Sequence, residues 1–272
     1  MTGWTLDDIP WTAFDSDLVD ANIVPLIKAA SMVESNAIDY ADYLCNVFAD
    51  DPRLCRAARS WAVEEEQHGA ALARWARLAD PGFDYDRAFT VFVAGYRIPV
   101  DASESVRGSR SGELVARCMV ETGTNSFYTA LADATHEPVL KAVCRHIAAD
   151  ELAHFWLFHH HMTRYMAEEH LSLWQRLRVA LGRIAETEDD ELAYAYYAAN
   201  NRGEPYDRRR HGGAYHRKTL AYYSPSVVRG AMAMLFQTVG LAEKGALVRL
   251  ATLLAQTLVR ARQLWLGRLD PA

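Results

Sequence analysis

Trp61-Ala62-Val63-Glu64-Glu65-Glu66-Gln67-His68-Gly69 and Ile147-Ala148-Ala149-Asp150-Glu151-Leu152-Ala153-His154 each contain Glu-x-x-His. Read as helices, positions i and i+3 share a face, so in each stretch a carboxylate and an imidazole converge. With 16 Glu and 10 His in 272 residues, chance alone supplies roughly 0.6 such matches, so placement has to decide. Ala58, Trp61, Leu72 and Trp75 share the face of Glu65 and His68, and Cys144, Ile147, Phe155 and Phe158 surround Glu151 and His154. Ionisable groups planted in apolar stripes cost several kcal/mol unless paired or bound to a cation. Two further carboxylates stand on inward registers: Glu34 beside Ala30 and Ile38, and Glu121 beside Cys118 and Tyr128. Four helices thus supply Glu, Glu-x-x-His, Glu and Glu-x-x-His in chain order, the ligand inventory of a two-metal carboxylate site inside a helical bundle. Carboxylate and imidazole donors suit iron foremost, with manganese or a mixed pair as the alternatives.

Outward from these stretches the periodicity stays helical, and nothing reads as alternating strands. Helix A is expected over about 17–49. Asp51-Pro52 opens helix B, which runs to Leu78 and stops at Asp80-Pro81-Gly82. A connection over 83–103 carries a short apolar helix, Ala88 to Tyr96. Helix C follows Gly108–Gly112 and runs to about 134, and helix D runs from Pro138 to Met166. Helices are further expected over 171–186, 188–200 and 225–268, with a polar, basic loop over 200–213. The fold class is therefore all-α: a bundle over residues 1–166 with an N-terminal arm, and a helical extension over 167–272 packed on it within the same domain.

Composition narrows the function classes. A formal net charge of -6 argues against a general nucleic-acid binder. No apolar run approaches the roughly 20 residues of a membrane span, and the start, Met1 to Asp8, lacks a signal-peptide pattern. A soluble, cytoplasmic protein is expected. Cys45, Cys55, Cys118 and Cys144 form no Cys-x-x-Cys pair and are expected to be buried, reduced thiols. His159, His160 and His161 fan out around their helix and cannot all face one ion.

Trp61 to Gly69 resembles W-x-x-E-E-x-x-H-G of the soluble acyl-carrier-protein desaturases, within the ferritin-like superfamily. Ile147 to His154 resembles that family's I-A-A-D-E-x-x-H, and Glu121-Thr122-Gly123-Thr124 its E-x-x-T. The resemblance covers roughly residues 30–165. The chain is shorter than plant desaturases, and its tighter Glu34-to-Glu65 spacing is similar to aldehyde-deformylating oxygenases. Leu6 to Trp11, Gly95 to Pro99 and Arg107 to Arg110 resemble segments of uncharacterised bacterial ferritin-like proteins.

The resemblance implies a ferritin-like four-helix bundle holding two iron ions on Glu34, Glu65, His68, Glu121, Glu151 and His154. It implies that Asp150 orients His68 and, by the two-fold likeness of the halves, that Glu64 orients His154. It also implies that Thr124 lies beside the oxygen-binding side of the site. The expected activity is O2-dependent oxidation or desaturation of a long apolar acyl substrate, free or carrier-bound. The alternatives are an aldehyde-deformylating or N-oxygenating relative, and an iron-handling protein. The chain shows no flavin or dinucleotide fingerprint, so an external electron donor such as ferredoxin is expected. Arg202 and Arg208–Arg210 are candidate contacts for an acidic carrier. A homodimer is the expected assembly.

Overall fold

The computed structural model describes residues 3–186, 190–201 and 203–267. Over those residues every regular element is helical. Three 3-10 turns (Leu6–Asp8, Trp11–Ala13 and Ser16–Leu18) form the N-terminal arm.

The stretch expected as one helix over 17–49 is two, α1 (Val24–Glu34) and α2 (Ala37–Val47). The break falls at Ser35-Asn36, immediately after Glu34. Ser35 Oγ donates back to Ser31 O at 2.8 Å and accepts from Tyr85 OH at 2.7 Å. A hydroxyl that competes for the helical carbonyl favours a bend. The break also shifts the register beyond it, so Ile38, expected to face inward, is 46 % exposed.

Helix α3 (Pro52–Ala79) begins at Asp51, whose carboxylate accepts from Arg53 N and Leu54 N, both at 3.1 Å. That cap, with Pro52 in the first turn, fixes the start. The short α4 (Tyr85–Gly95) follows, then α5 (Arg110–Ala134), capped by Ser109 Oγ on Gly112 N at 3.0 Å. Helix α6 (Pro138–Glu169) starts at Glu137, a fully buried carboxylate that accepts from Leu140 N and Trp75 Nε1, each at 2.7 Å. α1 and α2 pack on α3, α3 on α6, and α6 on α5. The largest fully buried side chains, Trp75, Tyr128, Phe48, Phe92, Phe155 and Phe158, fill the space between these helices.

Five helices follow: α7 (Leu173–Glu186), α8 (Asp190–Asn200), α9 (Arg208–Ala221), α10 (Pro225–Thr238) and α11 (Ala246–Gly267). α8 lies on α1 and α4, whereas α7 and α10 lie on α5. The single helix expected over 225–268 is two, divided after Thr238, where Gly240 takes a φ of 73° that favours glycine. The loop expected to run to Gly213 ends at Asp207, which caps α9 through Arg210 N at 2.9 Å. α9 continues through Gly212-Gly213 because Gly212 packs against Ala193 of α8. Tertiary contact there overrides the low helix propensity of glycine. Positions 188 and 268 and Arg202 lie outside the described residues.

Cys45 and Cys55 form a disulfide between α2 and α3, correcting the expectation of four reduced thiols. Cys118 and Cys144 are buried and free. The two joined cysteines are ten positions apart across a helix–helix turn, a pairing no Cys-x-x-Cys search would find. Among the described residues, no helix is long and apolar enough to cross a membrane.

Candidate metal centre

α1 contributes Glu34, α3 Glu65 and His68, α5 Glu121, and α6 Glu151 and His154, and none is more than 5 % exposed. They form two overlapping sets: Glu34, Glu65, His68 and Glu151, and Glu65, Glu121, Glu151 and His154. Within each set the potential ligand atoms lie within 4.8 Å of one another. Glu65 and Glu151 belong to both. His68 Nδ1 is 3.3 Å from Glu151, 3.7 Å from Glu65 and 3.9 Å from Glu34. His154 Nδ1 is 3.0 Å from Glu65, 3.9 Å from Glu121 and 4.0 Å from Glu151.

Local structure explains how the first set closes. Gly69 follows His68 and faces the break after Glu34. A Cβ at position 69 would stand 2.1 Å from Ser35 Oγ and 2.9 Å from Ser35 N. Only glycine allows α3 to approach the end of α1 this closely.

The rings are held from behind. His68 Nε2 is 3.1 Å from Asp150 Oδ2, and His154 Nε2 is 3.1 Å from Glu64 Oε2. A proton on each Nε2, donated to its carboxylate, leaves the Nδ1 lone pair facing the cluster. Asp150 Oδ2 also accepts from Trp4 Nε1 at 2.6 Å, and the Trp4 ring lies parallel to that of His68 with centroids 6.0 Å apart. Gln67 Nε2 donates to Trp4 O at 3.0 Å, tying the arm to α3.

The outer carboxylates have different partners. Tyr128 OH donates to Glu34 Oε1, and the Arg117 guanidinium donates to Glu121 Oε1. Thr124 Oγ1 donates to Glu151 Oε2 and lies 3.2 Å from both Val120 O and Glu121 O. Its hydroxyl thus faces the cluster while staying within reach of its own helix backbone.

Burial and neighbouring carboxylates push Glu34 well above the usual carboxylate range. Burial likewise pushes Glu121 up, although Arg117 opposes it. Glu65 goes the other way: burial would raise it, but the neighbouring Glu34, His154 and His68 hold it well below normal. Burial disfavours the charged form of both histidines, yet Asp150 and Glu151 raise His68 well above its usual value. Glu64 and Glu65 raise His154 to about 11. Four carboxylates and two imidazoles sharing one dry volume must be neutralised, by protons or by cations.

One observation bears on the cations. His68 Nδ1, His154 Nδ1, Glu65 Oε1 and Glu151 Oε1 are buried and make no hydrogen bond. Buried polar atoms are normally partnered. Four orphans converging on one space, all of them oxygen or imidazole nitrogen, fit metal ions. The buried Glu/His groups could therefore hold a metal.

No family model and no curated protein matches the chain.

All six expected ligand residues meet here, with Asp150, Glu64 and Thr124 against them. His161 of the histidine run is buried, and His160 is exposed. The run does not join the cluster. Sequence reasoning missed three partners. Arg117 stands one turn before Glu121, a spacing that could have flagged it. In the sequence Tyr128 stands out only as a neighbour of Glu121 on the inward register. Trp4 lies 146 positions from Asp150 and leaves no local signal.

Proposed function

We propose that α1, α3, α5 and α6 form a ferritin-like bundle holding two iron ions. The bound pair would activate O2 to oxidise or desaturate a long apolar acyl substrate. The observation that carries this reading is the set of four orphaned atoms, shared between two overlapping four-residue ligand sets. The order of ligands along the chain supports the ferritin-like topology. Iron held by carboxylates and imidazoles supplies oxygen activation.

The chain's own residues prepare that site. Glu65 and Glu151, common to both sets, would hold the ions together with Glu34 and His68 at one end and Glu121 and His154 at the other. Asp150 and Glu64 fix the histidine tautomers and ring planes. Trp61, Ile147, Phe155 and Phe158, all nearly inaccessible, exclude water. Thr124 holds its hydroxyl proton on Glu151. Electrons would come from an external donor such as ferredoxin. Arg208–Arg210, exposed on the first turn of α9, would receive an acidic carrier, and Arg210 already pairs with Glu204.

The test is iron content and oxygen uptake. The protein, loaded with Fe(II) without oxygen, is expected to hold two ions per chain. It should consume O2 faster when a long acyl substrate and a reductant are both present. Glu65→Ala and Glu151→Ala should each abolish stoichiometric loading. Full occupancy in both variants would sink the proposal.

A further inference from the structure

The two ligand sets have the same composition, three carboxylates and one imidazole. Their outer carboxylates are also arranged alike. Glu34 offers Oε2 to the cluster, 3.9 Å from His68 Nδ1, and commits Oε1 to a side chain of α5. Glu121 offers Oε2, 3.9 Å from His154 Nδ1, and also commits Oε1 to a side chain of α5. The difference lies in those side chains: Tyr128 is a neutral phenol, and Arg117 is a permanent cation.

Arg117 cannot move away easily. It is 5 % exposed, and its guanidinium carbon lies 4.4 Å from the Trp61 ring, 5.2 Å from Phe158 and 5.5 Å from Tyr40. Its Nε is buried and makes no hydrogen bond, so the guanidinium is held by this aromatic cage and by Glu121. A guanidinium does not lose its proton to make room for another cation. A metal at the Glu121–His154 end must therefore share Glu121 with Arg117 and bear the repulsion of its fixed charge. A metal at the Glu34–His68 end meets only the dipole of Tyr128. In a water-excluded site such a difference is weakly screened.

We infer that the two ends are unequal: the Glu34–His68 end takes the first divalent cation tightly, and Arg117 makes the Glu121–His154 end a weaker, later and more readily exchanged position. The inference rests on the two-ion reading above and assigns Arg117 as a positioning residue within it. A half-loaded protein with one ion at a defined end is its direct consequence.

Titration of the metal-free full-length chain with Mn(II), followed by metal content and electron paramagnetic resonance, tests it. The first equivalent should bind at least about tenfold more tightly than the second, a gap of about 1.4 kcal/mol. At one equivalent the six-line signal of an isolated Mn(II) should dominate, with a coupled signal only near two. Glu34→Ala should remove the tight step, and Glu121→Ala the weak one. Arg117→Met should bring the two affinities to within about threefold. The wild-type titration stands by itself if Arg117→Met does not fold. Two equal sites in the wild type would overturn the inequality while leaving the two-ion site intact. An unchanged gap in folded Arg117→Met would overturn the assignment to Arg117. Failure to bind Mn(II) at all would overturn the two-ion reading itself.

Discussion

Thr124 shows how one hydroxyl can serve two masters. Mid-helix threonines commonly return their proton to the carbonyl four residues back, and Val120 O is within reach at 3.2 Å. Thr124 also donates to Glu151, a residue common to both ligand sets. The hydroxyl therefore lies between its own helix and the cluster, within reach of acceptors in both. Thr124→Val keeps the shape and removes the donor. The variant is expected to load iron normally and lose no more than about 1.5 kcal/mol of stability. It should oxidise substrate more slowly and release more peroxide per O2 consumed. Oxygen, peroxide and product measured together check this, and wild-type coupling in the variant would remove Thr124 from the chemistry.

At the scale of elements, the break between α1 and α2 and the glycine opposite it act as one device. Ser35 ends the regular helix directly after Glu34, and Gly69 lets α3 lie against that end. Glu34 and His68 share one ligand set because two helices approach there without a side chain between them. Gly69→Ala would insert a methyl group into Ser35. The cost should be about 1–3 kcal/mol of overpacking, and metal affinity should fall with it as Glu34 is displaced. Denaturant unfolding and metal titration of the variant measure both; wild-type stability and affinity together would show that the close approach is dispensable. The cystine ties the last turn of α2 to the first turn of α3. It stands in tension with a cytoplasmic location, where thiols are kept reduced.

At the scale of the whole molecule, the buried cluster sets a pH dependence. Glu34, Glu121, His68 and His154 all have folded-state values above their ordinary ones. Such groups stabilise the fold most below their unfolded values and lose that contribution as pH rises toward the folded ones. For His154 the window runs from 6.5 to about 11. Glu65, lowered, has the opposite sign, and its contribution is already complete above its ordinary value of 4.5. The metal-free protein should therefore melt at a higher temperature at pH 6 than at pH 9. Bound cations should flatten that dependence by replacing the protons. Equal melting temperatures for the metal-free protein at the two pH values would contradict it. The surface makes a separate prediction. Leu247, Leu250, Leu253, Leu254, Leu258 and Leu264 of α11 are each more than half exposed and lie on one outward arc. Apolar strips of this kind mark interaction surfaces, and a second copy of the chain is the occupant expected here. Light scattering should find a dimer that Leu250→Gln, Leu254→Gln and Leu258→Gln together convert to a monomer. A wild-type monomer would refute the assignment.

The sequence by itself determined the helical class, the starts of α3 and α6, and six candidate ligands that do converge. These are matters of local periodicity, capping and the cost of burying charge, all legible within a few turns of one helix. Only the tertiary structure decided what surrounds them. Trp4 on Asp150, Tyr128 on Glu34 and the aromatic cage of Arg117 join residues distant in the chain, and no local pattern encodes such meetings. The same holds for α9 running through Gly212-Gly213 against α8, for the Cys45–Cys55 bond, and for Ile38 turning outward beyond Ser35. At Gly212-Gly213, packing against a neighbouring element outweighed the propensity that could be read from the chain.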